Sequence, residues 1–230
     1  MTDGPTGPGE RLILLLVGAV GAGKGTQAGL LSRELGLPHL ASGNLFRAAK
    51  AAHTELGEVA RGYMERGELV PDEITIGMFM EELGQPRAEH GAILDGFPRT
   101  VGQARALDET LARQGERIRS VIFIDVPTED LVRRVAGRWT CPQCGTPYHE
   151  ATDPPNVPGR CDRDGTALTQ REDDRPEVVR ARLERQVPPM LEVIDHYERA
   201  GIVDRLDGLQ PIAEVTAEIL SRVGDRAASA

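Results

Sequence analysis

The sequence is poor in aromatic residues and has no long apolar run. Aromatic side chains make up 3% of its 230 residues, and the formal net charge at pH 7 is −9. Nucleic-acid-binding proteins usually combine a basic surface with aromatic side chains that stack on bases, so this balance disfavours that class. The longest run without charge, residues 12–23, is too short and too rich in glycine to span a bilayer. We therefore expect neither a nucleic-acid partner nor a membrane partner.

Cysteine is also scarce, and its three occurrences, Cys141, Cys144 and Cys161, lie close together. The N-terminus does not resemble a secretory signal, because acidic residues offset Arg11 before the apolar run. A composition of 40% hydrophobic and 27% charged residues is typical of a globular protein. We expect one α/β-sized unit that acts in the cytoplasm, preceded by a flexible Gly/Pro-rich leader over residues 1–10.

Apolar runs of strand length alternate with helical patterns along most of the chain. The runs occupy residues 12–17, 37–41, 92–97, 121–126 and 202–206. Near-continuous apolar strands separated by helices indicate a parallel sheet that is covered on both faces. Ligands of such sheets bind at the carboxyl ends of the strands. A Gly-rich loop, Asp95 and Asp125 fall at three of those ends.

The Gly-rich loop GAVGAGKGTQ, residues 18–27, nearly matches the phosphate-binding pattern G-x-x-x-x-G-K-[ST]. Its backbone N–H groups would bind phosphate at a helix N-terminus, and Lys24 would reach the outer phosphates. Gly25 stands where the general pattern has Ser or Thr, which here follows as Thr26. A turn without a ligand would explain neither the repeated glycines nor the place of Lys24. The predicted donor-phosphate site comprises Gly21, Ala22, Gly23, Lys24, Gly25 and Thr26.

A second block, LDGFPRT, occupies residues 94–100. Asp95 ends a predicted strand, and a carboxylate there is suited to organise Mg²⁺ together with substrate phosphates. Arg99 follows behind a glycine and a proline that stiffens the turn. Taken alone, a turn with a surface arginine explains this block equally well.

Together, the two blocks resemble the adenylate kinases, within the nucleoside monophosphate kinase family. The resemblance runs from about residue 11 to 220 through ASGNLFRAA (41–49), GELVPDEI (67–74), GRW (137–139), QREDD (170–174) and DGLQPIAEV (207–215). It implies a three-layer α/β P-loop core with a five-stranded parallel sheet, and the reaction Mg·ATP + AMP ⇌ 2 ADP, carried out by a monomer. The implied parts are a core over 11–40, 71–136 and 175–222, an AMP-binding insertion over 41–70, a zinc-stapled lid over 137–174, and a tail over 223–230.

The same resemblance implies roles for individual residues. The implied catalytic groups are Lys24, Asp95, Arg99, Arg134, Arg138, Arg171 and Arg182. The implied ATP site comprises the Gly-rich loop together with Arg134, Arg138, Tyr148 and Gln210. The implied AMP site comprises Ser42, Arg47, Glu68, Leu69, Val70, Gly96, Arg99, Gln103, Arg171 and Arg182. Asp173 and Asp174 are implied to anchor lid arginines. Asn44 stands where the family commonly has aspartate. Because asparagine lacks the charge, Asp95 is the main candidate for holding the water shell of Mg²⁺.

A cysteine-rich stretch interrupts the α/β alternation. Cys141-x2-Cys144 and Cys161-x2-Asp164 have the spacing of a two-knuckle structural zinc site. A disulfide would leave one cysteine over, and a redox C-x-x-C normally belongs to a thioredoxin-like unit that is absent here. His149 is an alternative fourth ligand. The resemblance to long-lid adenylate kinases with zinc favours Asp164.

Three other functions compete with this interpretation. A related monophosphate kinase would use GTP as donor or another acceptor, and side chains alone do not separate it from an enzyme that uses ATP and AMP. A regulatory GTPase needs Asn-Lys-x-Asp to bind guanine, and that tetrapeptide does not occur. A zinc-ribbon nucleic-acid module is disfavoured by the acidic balance and the scarce aromatics.

Overall fold

A parallel β-sheet with helices on both faces forms the body of the molecule. The computed structural model describes residues 11–51, 58–59, 62–63, 70–151, 153–170 and 174–228. The strands are β1 (Leu12–Val17), β2 (His39–Ala41), β3 (Gly91–Asp95), β4 (Ser120–Asp125), β5 (Arg138–Thr140), β6 (Pro147–His149) and β7 (Val203–Asp207). The α-helices are α1 (Lys24–Leu35), α2 (Ser42–Ala51), α3 (Asp72–Leu83), α4 (Val101–Arg113), α5 (Thr128–Ala136), α6 (Pro176–Glu198) and α7 (Ile212–Ala228).

The main sheet has the strand order β2-β3-β1-β4-β7, and every neighbouring pair is parallel. After β1 the chain forms β2 and β3 on one side of β1 within the sheet, and it later forms β4 and β7 on the other side. Such a reversal of strand order creates a crevice at the carboxyl ends of the strands. The register pairs Leu16 with Asp95, so the loop after β1 lies beside the end of β3. The five-stranded parallel sheet predicted from the sequence is confirmed.

The alternation of side chains along β1 explains why the whole run LILLLV is apolar. Leu12, Leu14 and Leu16 enter a core on one face of the sheet, which α1, α5, α7 and the start of α6 cover. Ile13 and Leu15 enter a second core, which α3, α4 and the end of α6 cover. A central strand that is buried on both faces has no position for a polar side chain.

Except in β1, the strand boundaries differ from the predicted ones by one or two residues, and two of these differences have identifiable reasons. The third strand ends at Asp95, because Gly96 has a φ of 73° and turns the chain out of the sheet. The second strand begins at His39, because Pro38 has no N–H group for the ladder, although its carbonyl accepts from Ile93 N at 2.9 Å.

A small separate unit follows α5. Strands β5 and β6 pair in antiparallel fashion, and an isolated bridge joins Thr140 to Thr169. Its buried side chains form a small cluster of Cys141, Tyr148, Cys161 and Leu168. So small a core needs another source of stability, as the sequence predicted. Among the helices of the described ranges, none has both the length and the apolar character required to cross a membrane.

Candidate active site and metal cluster

The Gly-rich loop between β1 and α1 packs tightly against its neighbours. A Cβ added to Gly21 would lie 2.8 Å from Val135 Cγ2 and 2.9 Å from the carbonyl oxygen of Leu131. Lys24 is the first residue of α1, and its Nζ donates to the carbonyl oxygens of Gly18 at 2.8 Å and Ala19 at 3.0 Å. An ammonium group has three donors, so one remains for a ligand.

Asp95 lies beside the loop with a histidine as its partner. His39 Nε2 is 3.1 Å from Asp95 Oδ2. Burial by itself raises the pKa of Asp95, but the hydrogen bond from His39 and the charges of Lys24 and Arg99 outweigh burial and lower the pKa below its ordinary value. Asp95 is therefore held as a carboxylate, the type of ligand that Mg²⁺ takes together with substrate phosphates.

Lys24 and Arg99 act on this carboxylate, and further predicted arginines act on Lys24. Burial is the main cause that lowers the pKa of Lys24, and the charge of Asp95 opposes it. The positive charges of three arginines add to the lowering: Arg99, Arg138 and Arg182. Burial and Arg182 also lower the pKa of Arg99. Neighbouring positive charges disfavour the charged forms of Lys24 and Arg99, so a polyanion beside them relieves this repulsion. A chain with a net charge of −9 thus concentrates positive charge at one place.

The residues predicted for the acceptor side also meet. Arg99 donates from Nε to the carbonyl oxygen of Gly96 at 2.7 Å and from Nη2 to Ser42 Oγ at 3.0 Å. A Cβ on Gly96 would lie 2.8 Å from that hydroxyl, and the φ of 73° also favours glycine there. The backbone N–H of Arg99 donates to Gln103 Oε1 at 2.7 Å. Val70 packs against Phe46 and Met78 in a separate small apolar cluster.

Arg138 is held by a buried carboxylate. Its Nε donates to Asp174 Oδ2 at 2.9 Å, and its Nη2 donates to Oδ1 of the same side chain. The Asp174 side chain is 2% exposed, so the bidentate pair is shielded from water. This contact joins the start of the small unit to the chain that leaves it. The role of Asp174 as an anchor of a lid arginine stays a prediction.

A loop between β7 and α7 borders the other side of the Gly-rich loop. Gly208 N donates to the carbonyl oxygen of Asp125 at 2.8 Å, and Arg134 Nη2 donates to the carbonyl oxygen of Gly208 at 2.8 Å. Leu209 and Ile212, which flank Gln210, are 49% and 45% exposed. The loop therefore presents apolar side chains to solvent next to a positioned arginine.

The predicted zinc ligands form a compact cluster. One ligand atom from each of Cys141, Cys144, Cys161 and Asp164 lies within 4.8 Å of all the others. The Sγ atoms of Cys144 and Cys161 are 3.5 Å apart, and Cys141 Sγ is 3.4 Å from Asp164 Oδ2. Tetrahedral zinc with Zn–S bonds of about 2.3 Å separates its sulfur ligands by about 3.8 Å. The donor set and its spacing fit a structural zinc ion.

Two equivalent turns build this cluster, CPQCGT at 141–146 and CDRDGT at 161–166. In the first, Gly145 N donates to the carbonyl oxygen of Cys141 at 3.0 Å, and in the second, Gly165 N donates to that of Cys161 at 2.8 Å. Asp164 thus occupies the position that Cys144 occupies in the first turn. A hydrogen bond from the backbone of Thr166 is the main cause that lowers the pKa of Asp164 well below its ordinary range.

Two other predicted residues lie in the small unit. The Tyr148 hydroxyl donates to Cys161 Sγ at 3.4 Å and accepts from Asp162 N at 2.7 Å, and the side chain is buried. These contacts make Tyr148 part of the packing around the cluster, and its contact with ATP stays a prediction. His149, the alternative ligand, is outside the cluster: its ring lies against Gly137, and its Nδ1 accepts from Ala151 N at 3.2 Å.

Some predicted residues lie outside the part of the chain that the structure describes: Glu68, Leu69, Arg171 and Asp173. The backbone of Arg47 belongs to α2, but its side chain is likewise outside that part. The roles implied for these five residues stay predictions.

The structure adds polar side chains that the sequence did not single out. His39 contacts Asp95, and Asp72 accepts from Gln103 Nε2 at 2.7 Å and from Thr100 Oγ1 at 3.3 Å. No local pattern indicates Asp72, since its partners are 28 and 31 positions away. The repeated C-x-x-[CD]-G-T pattern is visible in the sequence and indicates the two zinc knuckles.

Known proteins with similar sequences are adenylate kinases. The family model for adenylate kinase matches residues 16–202 of this chain. The adenylate kinase of Exiguobacterium sibiricum is 48% identical over 211 residues, which cover 92% of this chain and 98% of that protein. The adenylate kinase of Staphylococcus aureus strain N315 is 44% identical over 207 residues, which cover 90% and 96% respectively.

Proposed function

The chain belongs to the adenylate kinase family, and from that premise we propose how its own residues carry out the family's reaction. The reaction is reversible phosphoryl transfer from ATP to AMP, which gives two ADP molecules. The observation that carries the proposal is a group of mutually interacting charges: Lys24 and Arg99 act on Asp95, and Arg138 and Arg182 act on Lys24. Phosphoryl transfer depends mainly on positioning and charge neutralisation, and this cluster supplies both.

The donor phosphates bind at the Gly-rich loop. The amides from Gly21 to Thr26 face the phosphates at the start of α1, and Lys24 donates its remaining proton to an outer phosphate oxygen. Its bonds to the carbonyl oxygens of Gly18 and Ala19 hold the ammonium group in place before ATP arrives. Less side-chain entropy is therefore lost when the donor binds.

The acceptor AMP binds on the other side of Asp95. Arg99 grips its phosphate with the support of Ser42 and Gly96, and Gln103 meets the adenine edge. Arg47, Glu68, Leu69 and Val70 complete this side. The charge of Arg182 acts on both Lys24 and Arg99, which supports a place for this side chain between the two halves. It is therefore placed to follow the phosphoryl group from donor to acceptor, with Arg138 and Arg171.

Magnesium fits the site through Asp95. The structure contributes one carboxylate among several cations, and Mg²⁺ is usually held by one or two carboxylates, waters and substrate phosphates. When bound with ATP, Mg²⁺ neutralises phosphate charge and helps to align the reacting groups. The protein's own contribution is to hold Asp95 anionic through His39.

The donor base binds at the loop of Gly208 to Gln210. Leu209 and Ile212 offer exposed apolar surface for a flat base, while Arg134 is tied to the same loop through the carbonyl oxygen of Gly208. Contact through backbone groups favours adenine in this family. Membership of the adenylate kinase family therefore supports ATP as the donor, and a GTP-dependent relative is the alternative.

Steady-state rates with ATP, GTP, CTP and UTP, each crossed with AMP, GMP, CMP and UMP, are expected to show the highest kcat/KM for ATP with AMP. The reason is that both base sites described above suit adenine. The measurement is a coupled assay of diphosphate formation. A preference for GTP as donor, or for UMP over AMP, would contradict the assignment of these sites.

We also propose that a zinc ion holds the small unit together through Cys141, Cys144, Cys161 and Asp164. The unit has a minimal apolar core, so a metal would provide its fixed shape. The backbone N–H of Cys144 points at Cys141 Sγ at 3.4 Å, a contact that stabilises a thiolate ligand.

Protein purified without chelator is expected to contain about one equivalent of zinc, because the four groups form a single tetrahedral site. Asp164→Asn is expected to reduce the zinc content well below one equivalent, since it removes the anionic ligand. His149→Gln is the matched control and should retain zinc. Elemental analysis of the three proteins checks this. No zinc in the wild type would refute the site, and loss in the His149 variant alone would reassign the fourth ligand.

We propose further that the chain acts as a monomer in the cytoplasm. Three reduced cysteines suit that compartment, where thiols bind metals rather than form disulfides.

The small unit has its own core, which supports the proposal that residues 137–174 form a lid separate from the main body of the protein. The other proposed parts are the core over 11–40, 71–136 and 175–222, the AMP-binding insertion over 41–70, and the tail over 223–230.

A further inference from the structure

The side-chain amide of Gln103 is held from both ends. Its Oε1 accepts from the backbone N–H of Arg99 at 2.7 Å, and its Nε2 donates to Asp72 Oδ1 at 2.7 Å. The side chain is 2% exposed, so these bonds are not in competition with bulk water. Thr100 Oγ1 donates to the other oxygen of Asp72 and accepts from Gln103 N, which caps α4.

These two partners permit only one orientation of the amide. A backbone N–H offers only a donor, and a carboxylate offers only acceptors. Rotating the amide by 180° would place its NH₂ group against the N–H of Arg99 and its oxygen against Asp72. Both contacts would then be repulsive, and two hydrogen bonds would be lost. The amide orientation is thus determined by its neighbours and not by its ligand.

A fixed amide presents a fixed pattern to a base. One N–H of Nε2 and one lone pair of Oε1 remain after the bonds to Asp72 and Arg99. Adenine offers an acceptor at N1 and a donor at N6, whereas hypoxanthine offers a donor at N1 and an acceptor at O6. Since Arg99 holds the phosphate of the same nucleotide, the base cannot turn over freely. The reversed pattern of hypoxanthine therefore requires the disfavoured amide orientation.

We propose that Asp72 is a specificity-determining positioning residue, which selects adenine over 6-oxopurine monophosphates by fixing the amide of Gln103. This inference rests on the proposed contact between Gln103 and the acceptor base. Asp72 itself does not touch the nucleotide. It lies at the start of α3, with Oδ2 3.2 Å from the position of a Cβ on Gly102, so the first turn of α4 also confines it.

Asp72→Asn is expected to reduce the ratio of kcat/KM for AMP to kcat/KM for IMP by about tenfold, because an asparagine accepts the rotated amide and a charge-assisted bond is lost. The KM for AMP should rise about fivefold, because loss of the same bond also weakens AMP binding, by less than it changes the ratio between AMP and IMP. The kcat with AMP and the KM for ATP should remain within about twofold, since the donor side is untouched. Steady-state kinetics with AMP and with IMP measures these values, and thermal unfolding checks that the variant is folded.

The matched control is Glu73→Gln, which removes the same charge from an exposed position on the first turn of the same helix. It should leave the AMP-to-IMP ratio unchanged. An equal fall in this control, or an unchanged ratio in Asp72→Asn, would overturn the inference. Gln103→Leu separates the two proposals: it should raise the KM for AMP. If it does not, the contact between Gln103 and the base is wrong, whereas an effect in Gln103→Leu without one in Asp72→Asn refutes only the role of Asp72.

Discussion

Replacing Lys24 with methionine is expected to lower kcat for phosphoryl transfer about 10³-fold, equivalent to about 4 kcal/mol of transition-state stabilisation. Methionine preserves most of the length of the side chain but removes the charge and all three donors. The ammonium group lies at the start of α1, where it touches the carbonyl oxygens of Gly18 and Ala19, and we propose that it binds the donor phosphates.

The fold of the Lys24 variant should remain intact. Lys24 is one of four crowded cations, and its pKa is lowered by burial and by neighbouring positive charges. Removal of its charge relieves that repulsion and offsets the loss of two hydrogen bonds, so we expect a melting temperature within about 4 °C of wild type. Arg33→Met, an exposed position on the same helix, is the control and should retain full activity. Residual activity above about a tenth of wild type in the Lys24 variant would mean that the loop is misassigned.

Arg182→Ala is expected to cost between about 10³-fold and 10⁵-fold in kcat, with a smaller effect on the KM for either nucleotide. The reason is that the charge of Arg182 acts both on Lys24, which we propose for the donor side, and on Arg99, which we propose for the acceptor side. In this proposal, the charge that develops on the transferred phosphoryl group lies between these two residues. Single-turnover rates at saturating ATP and AMP measure this loss directly.

Two further variants test whether geometry or charge matters at this position. Arg182→Lys keeps the charge but loses the planar fork, so it should recover only part of the rate. Arg185→Ala removes a charge from an exposed position one turn further along α6 and should be close to wild type. If Arg182→Ala changed KM but not kcat, Arg182 would bind the ground state and would not stabilise the transition state.

Local sequence patterns predict the core of the enzyme because its signals are short in range. The run LILLLV followed by the Gly-rich loop and Lys24 predicts a buried strand, a phosphate-binding turn and a helix, and the structure contains β1 and α1 at those positions. The paired knuckles around Cys141 and Cys161 likewise need contacts only within a few residues, as in the bonds from Gly145 and Gly165.

The partners of the acceptor site are not predictable in the same way. Gln103 is implied by resemblance, but the carboxylate that orients it comes from Asp72, 31 positions earlier in the chain. The partner of Asp95 is His39, 56 positions away, and the two meet because β2 and β3 pair with Ala41 opposite Asp95. Many acidic and histidine residues have the same local surroundings in the sequence, and only the strand register selects these two.

The sequence by itself determined the parallel α/β fold, the family, the Gly-rich loop and the set of groups able to bind zinc, because each is encoded in short motifs and in the order in which they follow one another along the chain. The tertiary structure decided which side chains act together. It brought Arg138 to the buried Asp174, placed Arg182 where its charge acts on both Lys24 and Arg99, and gave the amide of Gln103 its two partners. Such contacts depend on how strands and helices pack over long separations, and packing is a property of the whole core rather than of any one segment.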